Sequence, residues 1–244
     1  MLQTNIGKGE GIVKRAGIIG GLGPESTVDY YQSFIKKYQN KMNSKQVLPE
    51  LFINSINMYN VFQYISDNDL DGLATYVGDA ARQLEVIGAD FVIISANTPH
   101  IVFDQVRKKV HVPMISIVEA TYAKVEELEL NRLGLLGTKF TMENDFFQKP
   151  FHNSQKEIFV PEEDIQQYLH QKIVDELENG VVDLETKKDF LQIVNQMTNK
   201  HNLDGLILGC TELPMIIKPE DTDLTLLNTT DIHVDKMIEV VFAK

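Results

Sequence analysis

Cys210 is the only cysteine among 244 residues, and its setting suits acid–base or nucleophilic chemistry. It lies in Gly209-Cys210-Thr211-Glu212-Leu213-Pro214, directly after the aliphatic run Leu206-Ile207-Leu208. A thiol placed there leaves a buried strand and meets a helix start, where the positive end of the helix dipole lowers thiol pKa. The thiolate is the reactive form, and an unperturbed thiol is only a few per cent ionised at neutral pH. Most lone cysteines are small buried hydrophobes, so the position has to justify a functional reading. In the same turn, Thr211 offers a hydroxyl to a substrate, and Glu212 can cap the helix or orient a neighbour.

An internal match strengthens the case. Gly88–His100 (GADFVIISANTPH) lines up without a gap on Asn202–Pro214 (NLDGLILGCTELP). Asp90 falls on Asp204, Val92-Ile93-Ile94 on Leu206-Ile207-Leu208, and Ala96 on Cys210. Gly17-Ile18-Ile19-Gly20-Gly21 likewise pairs with Gly134-Leu135-Leu136-Gly137-Thr138. One half presents a thiol at its strand end and the other a methyl group. Beside Ala96, Asn97 and Thr98 can direct an amide and a hydroxyl into a cleft or cap the helix that Pro99 begins. His100 follows and reads first as a structural histidine.

The turn Gly20-Gly21-Leu22-Gly23-Pro24-Glu25-Ser26-Thr27 departs from a dinucleotide fingerprint, with Ser26 at the third glycine position and Pro24 stiffening the loop. Two readings stay open. Gly21, Gly23 and Pro24 form an anion cradle at a helix N-terminus, or a tight turn is capped by Ser26 or Thr27.

The elements that must position these residues follow from hydrophobic patterning. Apolar runs predict strands at Ala16–Gly20, Leu51–Asn54, Phe91–Ser95, Met114–Ile117, Leu133–Gly137, Glu157–Val160, Leu206–Gly209 and Leu224–Leu227. Most lack strict alternation, as strands covered on both faces do. Helical periodicity covers Thr27–Lys41, Leu70–Ile87, Glu162–Glu178 with Gly180 as its C-cap, Asp183–Lys200 and Ile232–Phe242. The expected fold is α/β, with two pseudo-symmetric lobes. Each is a parallel sheet flanked by helices, with the active site in the cleft between them. Residues 1–15 read as a flexible leader, 16–117 with 215–244 as the first lobe, and 118–214 as the second.

Composition narrows the function classes. Hydrophobic residues make up 43% of the chain, charged residues 24%, and the net charge is −12. No basic stripe invites nucleic acid, and no run of about 18 apolar residues invites a membrane. A single cysteine excludes an intrachain disulfide and a cysteine-based metal cluster. The N-terminus lacks an apolar signal region, and a cytoplasmic location is expected.

Taken in order, the Gly20–Thr27 turn, Ala96-Asn97-Thr98-Pro99-His100, Val112-Pro113 to Glu119-Ala120, Gly134–Thr138 with Thr141-Met142, Gly209–Pro214 and Thr230-Asp231-Ile232-His233 resemble the cofactor-independent aspartate/glutamate racemase superfamily, and within it the aspartate racemase branch. The resemblance implies a PLP-independent amino-acid isomerase with no cofactor and no metal, a small amino-acid or dicarboxylate substrate, and a homodimer. Family racemases use two thiols on opposite faces of Cα, one before Asn-Thr and one before Thr-Glu. Cys210 matches the second, and Ala96 stands at the first. Gly21, Gly23, Pro24, Asn97, Thr98, Thr138, Thr211 and Glu212 are the implied substrate-binding residues. Glu178 lies near a place where some aspartate racemases carry a basic residue. Cys210 is then the sole thiol acid/base, with a water, Ser95 or Thr98 serving the other face. The alternatives are a carboxylate-binding, non-catalytic homologue and a one-thiol malonate-type decarboxylase.

Overall fold

Two four-stranded parallel sheets stand in strand orders β2-β1-β3-β4 and β6-β5-β7-β8. The computed structural model describes residues 13–152 and 154–243, so the expected leader lies, up to residue 12, outside the described residues. In chain order the elements are β1 (Ala16–Gly20), α1 (Pro24–Lys41), β2 (Leu51–Ser55), α2 (Met58–Ser66), α3 (Leu70–Val86), β3 (Phe91–Ile94), α4 (Phe103–Arg107), β4 (Met114–Ile115), α5 (Ile117–Glu127), β5 (Arg132–Leu136), α6 (Lys139–Glu143), β6 (Glu157–Phe159), α7 (Glu163–Asp175), α8 (Leu184–His201), β7 (Gly205–Leu208), α9 (Leu213–Ile216), β8 (Thr225–Asn228) and α10 (Thr229–Phe242).

The internal repeat survives in three dimensions, residue on residue. Gly17 pairs with Val92 in the first sheet, and Gly134 pairs with Leu206 in the second. The aligned aspartates also do the same work. Asp90 accepts the backbone N–H of Arg15 at 2.7 Å, and Asp204 accepts those of Asn131 and Arg132 at 2.8 and 3.0 Å. Each carboxylate thereby satisfies backbone donors at the start of the neighbouring strand. With the N-terminal ends fixed alike, the C-terminal ends of β3 and β7 deliver Ala96 and Cys210 to equivalent places.

Each sheet is covered on both faces, as its near-continuous apolar strands require. The coverage is reciprocal. Helix α5 follows the last strand of the first sheet but buries Ile117, Val118 and Val125 against Leu133, Leu135 and Ile207 of the second. Helix α10 follows the last strand of the second sheet but buries Val234, Met237 and Val241 against Ile18, Phe91 and Ile93 of the first. Two corrections follow. Residues 215–228 were expected in the first lobe, yet β8 pairs with β7 and completes the second sheet. The strand expected over Met114–Ile117 stops at Ile115, because the Ser116 hydroxyl accepts the N–H groups of Val118 and Glu119 and starts α5.

Smaller differences have similar causes. Helix α1 begins at Pro24 rather than Thr27, since proline suits a first helical position. Helix α10 begins at Thr229 rather than Ile232, because Asn228 caps it through the N–H of Asp231. The helix expected over Glu162–Glu178 gives way after Asp175 to a 3-10 turn, Leu177–Asn179, closed by Gly180 at φ +73°.

A buried polar seam joins the lobes where the chain crosses between them. The His233 ring donates through Nε2–H to the Ile115 carbonyl at 3.0 Å and accepts the Tyr30 hydroxyl at Nδ1 at 2.8 Å. His100 donates through Nδ1–H to the Ala96 carbonyl at 2.9 Å and accepts the Ile117 N–H at Nε2 at 3.2 Å. Every ring nitrogen is used, and each tautomer is fixed by its partners. Burial is the first cause pushing the pKa values down, to about 4 for His233 and about 3 for His100, and the neighbouring His233 ring depresses His100 further.

Both rings are neutral in the fold, while an unfolded histidine takes a proton near pH 6.5. Between these values the unfolded chain binds more protons, so stability rises with pH. Unfolding free energy measured in urea is expected to be flat above about pH 6.5 and to fall as pH drops toward 4, by about 3 kcal/mol for each histidine at the low end. His233→Gln should flatten that slope. A slope identical to wild type would show that His233 is not the titrating group.

Candidate active site

The C-terminal ends of β1, β3, β5 and β7 converge on one cavity of about 130 Å³ between the lobes. From the first lobe, Leu22, Gly23, Pro24 and Glu25 line it from the β1–α1 turn, and Ala96, Asn97, Thr98 and Pro99 from the loop after β3. Helix α2 closes one wall with Met58, Val61 and Phe62. From the second lobe come Thr138 and Thr141, then Glu178 from the 3-10 turn, and Gly209 through Glu212 after β7. Ala96 and Cys210 thus line a single cavity, one from each lobe.

Nine of the ten catalytic and substrate-binding residues expected from sequence line this cavity. Gly21 does not. Its N–H donates to the Thr27 hydroxyl at 2.9 Å, and that hydroxyl donates to the Gly23 carbonyl at 3.1 Å. At φ +73° a Cβ on residue 21 would sit 2.2 Å from the Ile56 carbonyl oxygen, so this glycine serves close backbone approach. Gly23 and Pro24 remain at the cavity, where α1 begins and its dipole favours negative charge. Ser26 is turned away and donates to the Ser95 carbonyl. Ser95 itself is fully buried, donates to the Ile19 carbonyl and does not line the cavity, which removes it as a proton donor for the far face of a substrate.

Asn97 is 6% exposed. Its amide NH₂ donates to the Thr229 hydroxyl at 3.4 Å, and that hydroxyl donates to the Leu208 carbonyl at 2.9 Å. This chain of donors fixes the amide orientation and leaves Oδ1 buried, with no partner among the described residues. Thr138 caps α6, and its hydroxyl lies 3.2 Å from that of Thr141.

Cys210 is 9% exposed and its Sγ–H donates to Glu212 Oε2 at 2.8 Å. The expected lowering of the thiol pKa is reversed. Burial pushes the thiol up first, then the Glu212 charge and the hydrogen bond to it, with Glu178 adding to the effect. The reason is visible in the chain: α9 is a single turn starting three residues later, so its dipole is outweighed by two carboxylates. Glu178 is exposed on its outer side, and partial desolvation at the cavity together with the Glu212 charge holds it above the usual carboxylate range. The apolar wall of α2 was not singled out from sequence, whereas Glu178 was noted there only as standing near the place of a basic residue in some aspartate racemases. Helix α2 has no motif, and Glu178 reaches the cavity only because the helix breaks before Gly180. Among the described residues, no group of three or more side chains is arranged to hold a metal ion, and no helix is long and apolar enough to cross a membrane.

Alkylation of Cys210 by iodoacetamide, followed against pH, is expected to rise to a midpoint above the ordinary thiol value of about 8.5. Removing a nearby negative charge favours the thiolate. Glu212→Gln should therefore bring the midpoint down, and Glu178→Gln should do so by less. Midpoints unmoved in both variants would mean that the carboxylates do not control the thiol.

Residues 19–237 match the Asp/Glu/hydantoin racemase family model. The chain is 23% identical over 218 residues to a broad specificity amino-acid racemase of Bacillus subtilis (strain 168), covering 88% of this chain and 92% of that one. It superposes with a TM-score of 0.83 on the solved structure of an aspartate racemase homologue from Pyrococcus horikoshii OT3, 36% identical over 93% of this chain and 99% of that one. The Picrophilus torridus aspartate racemase shares the two-lobe fold at a TM-score of 0.70 and 21% identity, over 93% of this chain and 94% of that one. The cavity between two like-registered parallel sheets is therefore that of a racemase fold, and the chain belongs to the Asp/Glu/hydantoin racemase family.

Proposed function

We propose that the protein is an amino-acid racemase that works without an added cofactor and moves the Cα proton with Cys210 as its only thiol. The observation that carries this reading is the Cys210 thiol hydrogen-bonded to Glu212 inside the interlobe cavity, with Ala96 at the pseudo-equivalent position. The positive end of α1 with the hydroxyls of Thr98, Thr138 and Thr211 suits an α-carboxylate, and Asn97 Oδ1 suits an ammonium N–H. Cys210 passes its proton to the Glu212 carboxylate, and the resulting thiolate takes the proton from Cα. The electron pair left on carbon is spread into the α-carboxylate held by those donors. Return of the proton from Cys210 restores the starting enantiomer. Delivery from a water or the Thr98 hydroxyl on the opposite face gives the other. The proton held by Glu212 then passes through solvent to the hydroxide or alkoxide left there, which restores the carboxylate beside a protonated Cys210. A hydroxyl is a far weaker acid than a thiol, and a methyl group at residue 96 cannot transfer a proton at all.

The expected signature is uneven. In deuterium oxide, Cα–H exchange followed by NMR should outrun inversion, and one enantiomer should exchange faster than the other. Cys210→Ala should abolish exchange. Ala96→Cys should raise inversion relative to exchange by roughly 10²-fold or more, the usual worth of a positioned acid or base. Exchange that persists in Cys210→Ala would end this assignment. A protonated Cys210 also suits one-sided protonation of a carbanion left by decarboxylation, and carbon dioxide release from substituted malonates would turn the assignment that way.

A further inference from the structure

We propose that the substrate is a basic amino acid of about the size of lysine or ornithine rather than a dicarboxylate, an assignment of side-chain charge that rests on the Cα chemistry above. Three carboxylates line the cavity, Glu25, Glu178 and Glu212, and no Lys, Arg or His among the described residues does. Lys139, next to Thr138 in sequence, is committed elsewhere, to Gln167 and Glu143. Glu212 is occupied by the thiol, whereas Glu178 has neither an ion pair nor a hydrogen bond among the described residues. A second carboxylate brought into this space would meet three like charges and no cation among the lining residues. Glu25 and Glu178 are exposed and Glu212 half-buried, so solvent moderates the repulsion without changing its sign. A distal ammonium would instead neutralise Glu178.

Asn97 supplies an independent observation. Asn97 lines the cavity, and its Oδ1, lying just beneath the cavity surface, has no partner among the described residues and is held as an acceptor by the Thr229 and Leu208 chain. An unfilled acceptor calls for an N–H donor, which a carboxylate lacks. The α-ammonium fits Asn97 and the distal ammonium fits Glu178. Between them Met58, Val61 and Phe62 offer an apolar wall for a methylene stem. At about 10–15 Å³ for each water-sized group, a cavity of about 130 Å³ holds a ligand of about ten heavy atoms, which admits lysine, ornithine and glutamate alike and leaves charge as the discriminating property.

Calorimetric titration of the full chain with lysine, ornithine, norleucine and glutamate, each as L and D forms, tests this separately from turnover. Lysine or ornithine should bind at least about tenfold more tightly than norleucine, which keeps the stem but lacks the distal charge, and glutamate should be weakest. Glu178→Gln should bring the lysine-to-norleucine ratio toward one. Glutamate binding as tightly as lysine, a ratio untouched by Glu178→Gln, or no binding by any of the four would overturn the charge assignment. Tight lysine binding with no Cα exchange would instead overturn the racemase reading and leave the charge assignment standing. Exchange of glutamate without lysine binding would do the reverse.

Discussion

The arrangement of this protein depends on two histidines that must stay neutral. His100 and His233 sit where the chain passes from one sheet to the other, and each spends both ring nitrogens on opposite kinds of partner. A protonated ring would present a second donor to a group that is already donating. The cost of burying that charge keeps the rings uncharged. In that state they tie the Ala96 carbonyl to the start of α5, and α10 to the end of β4. The first-lobe side of the cavity is thus set by residues that never touch a substrate. His100, adjacent to the Ala96 motif, has a positioning role and no free lone pair for chemistry.

The chemistry of the cavity is governed by a different balance. A thiol with an ordinary pKa would be a ready base. Here burial and two carboxylates favour the thiol form, and Glu212 is both the opposing charge and the acceptor of the thiol proton. Such a site gives up reactivity at rest. The same electrostatics favour positive charge elsewhere in the cavity, so an arriving cation would relieve part of what holds the thiol protonated. Activation of Cys210 and recognition of a side chain are therefore two readings of one field.

Much of this was legible in the chain. The gapless match between Gly88–His100 and Asn202–Pro214 anticipated two sheets in the same register, because strand pairing preserves position and the two aspartates need the same backbone donors. The strand ends carrying Ala96 and Cys210 were identifiable for the same reason. What sequence could not supply were features fixed by tertiary context. The proton balance of Cys210 depends on Glu178, more than thirty residues away. Gly21 looked like part of an anion cradle, but the approach of Ile56 decides its role. Helix α2 carries no motif and was passed over, and α5 was hidden behind a strand expected to run to Ile117. Position 215–228 went to the wrong lobe because a short strand after a long loop shows no preference for either sheet until β7 is there to pair with it.

The reciprocal placement of α5 and α10 has a consequence for how the molecule holds together over time. Each half lends its last helix to the other. In the first sheet that helix shares one face with α1, and in the second with Phe147 and Phe151, so neither sheet is fully covered by its own segment of chain. Cutting the molecule at the midpoint would leave each piece with part of an apolar face open to water. The halves are bound to melt as one cooperative unit rather than in turn. A tandem repeat built this way has lost the option of coming apart into two independent proteins. Sequence divergence between the halves, down to a thiol in one and a methyl group in the other, can proceed without risk that either will drift free of its partner.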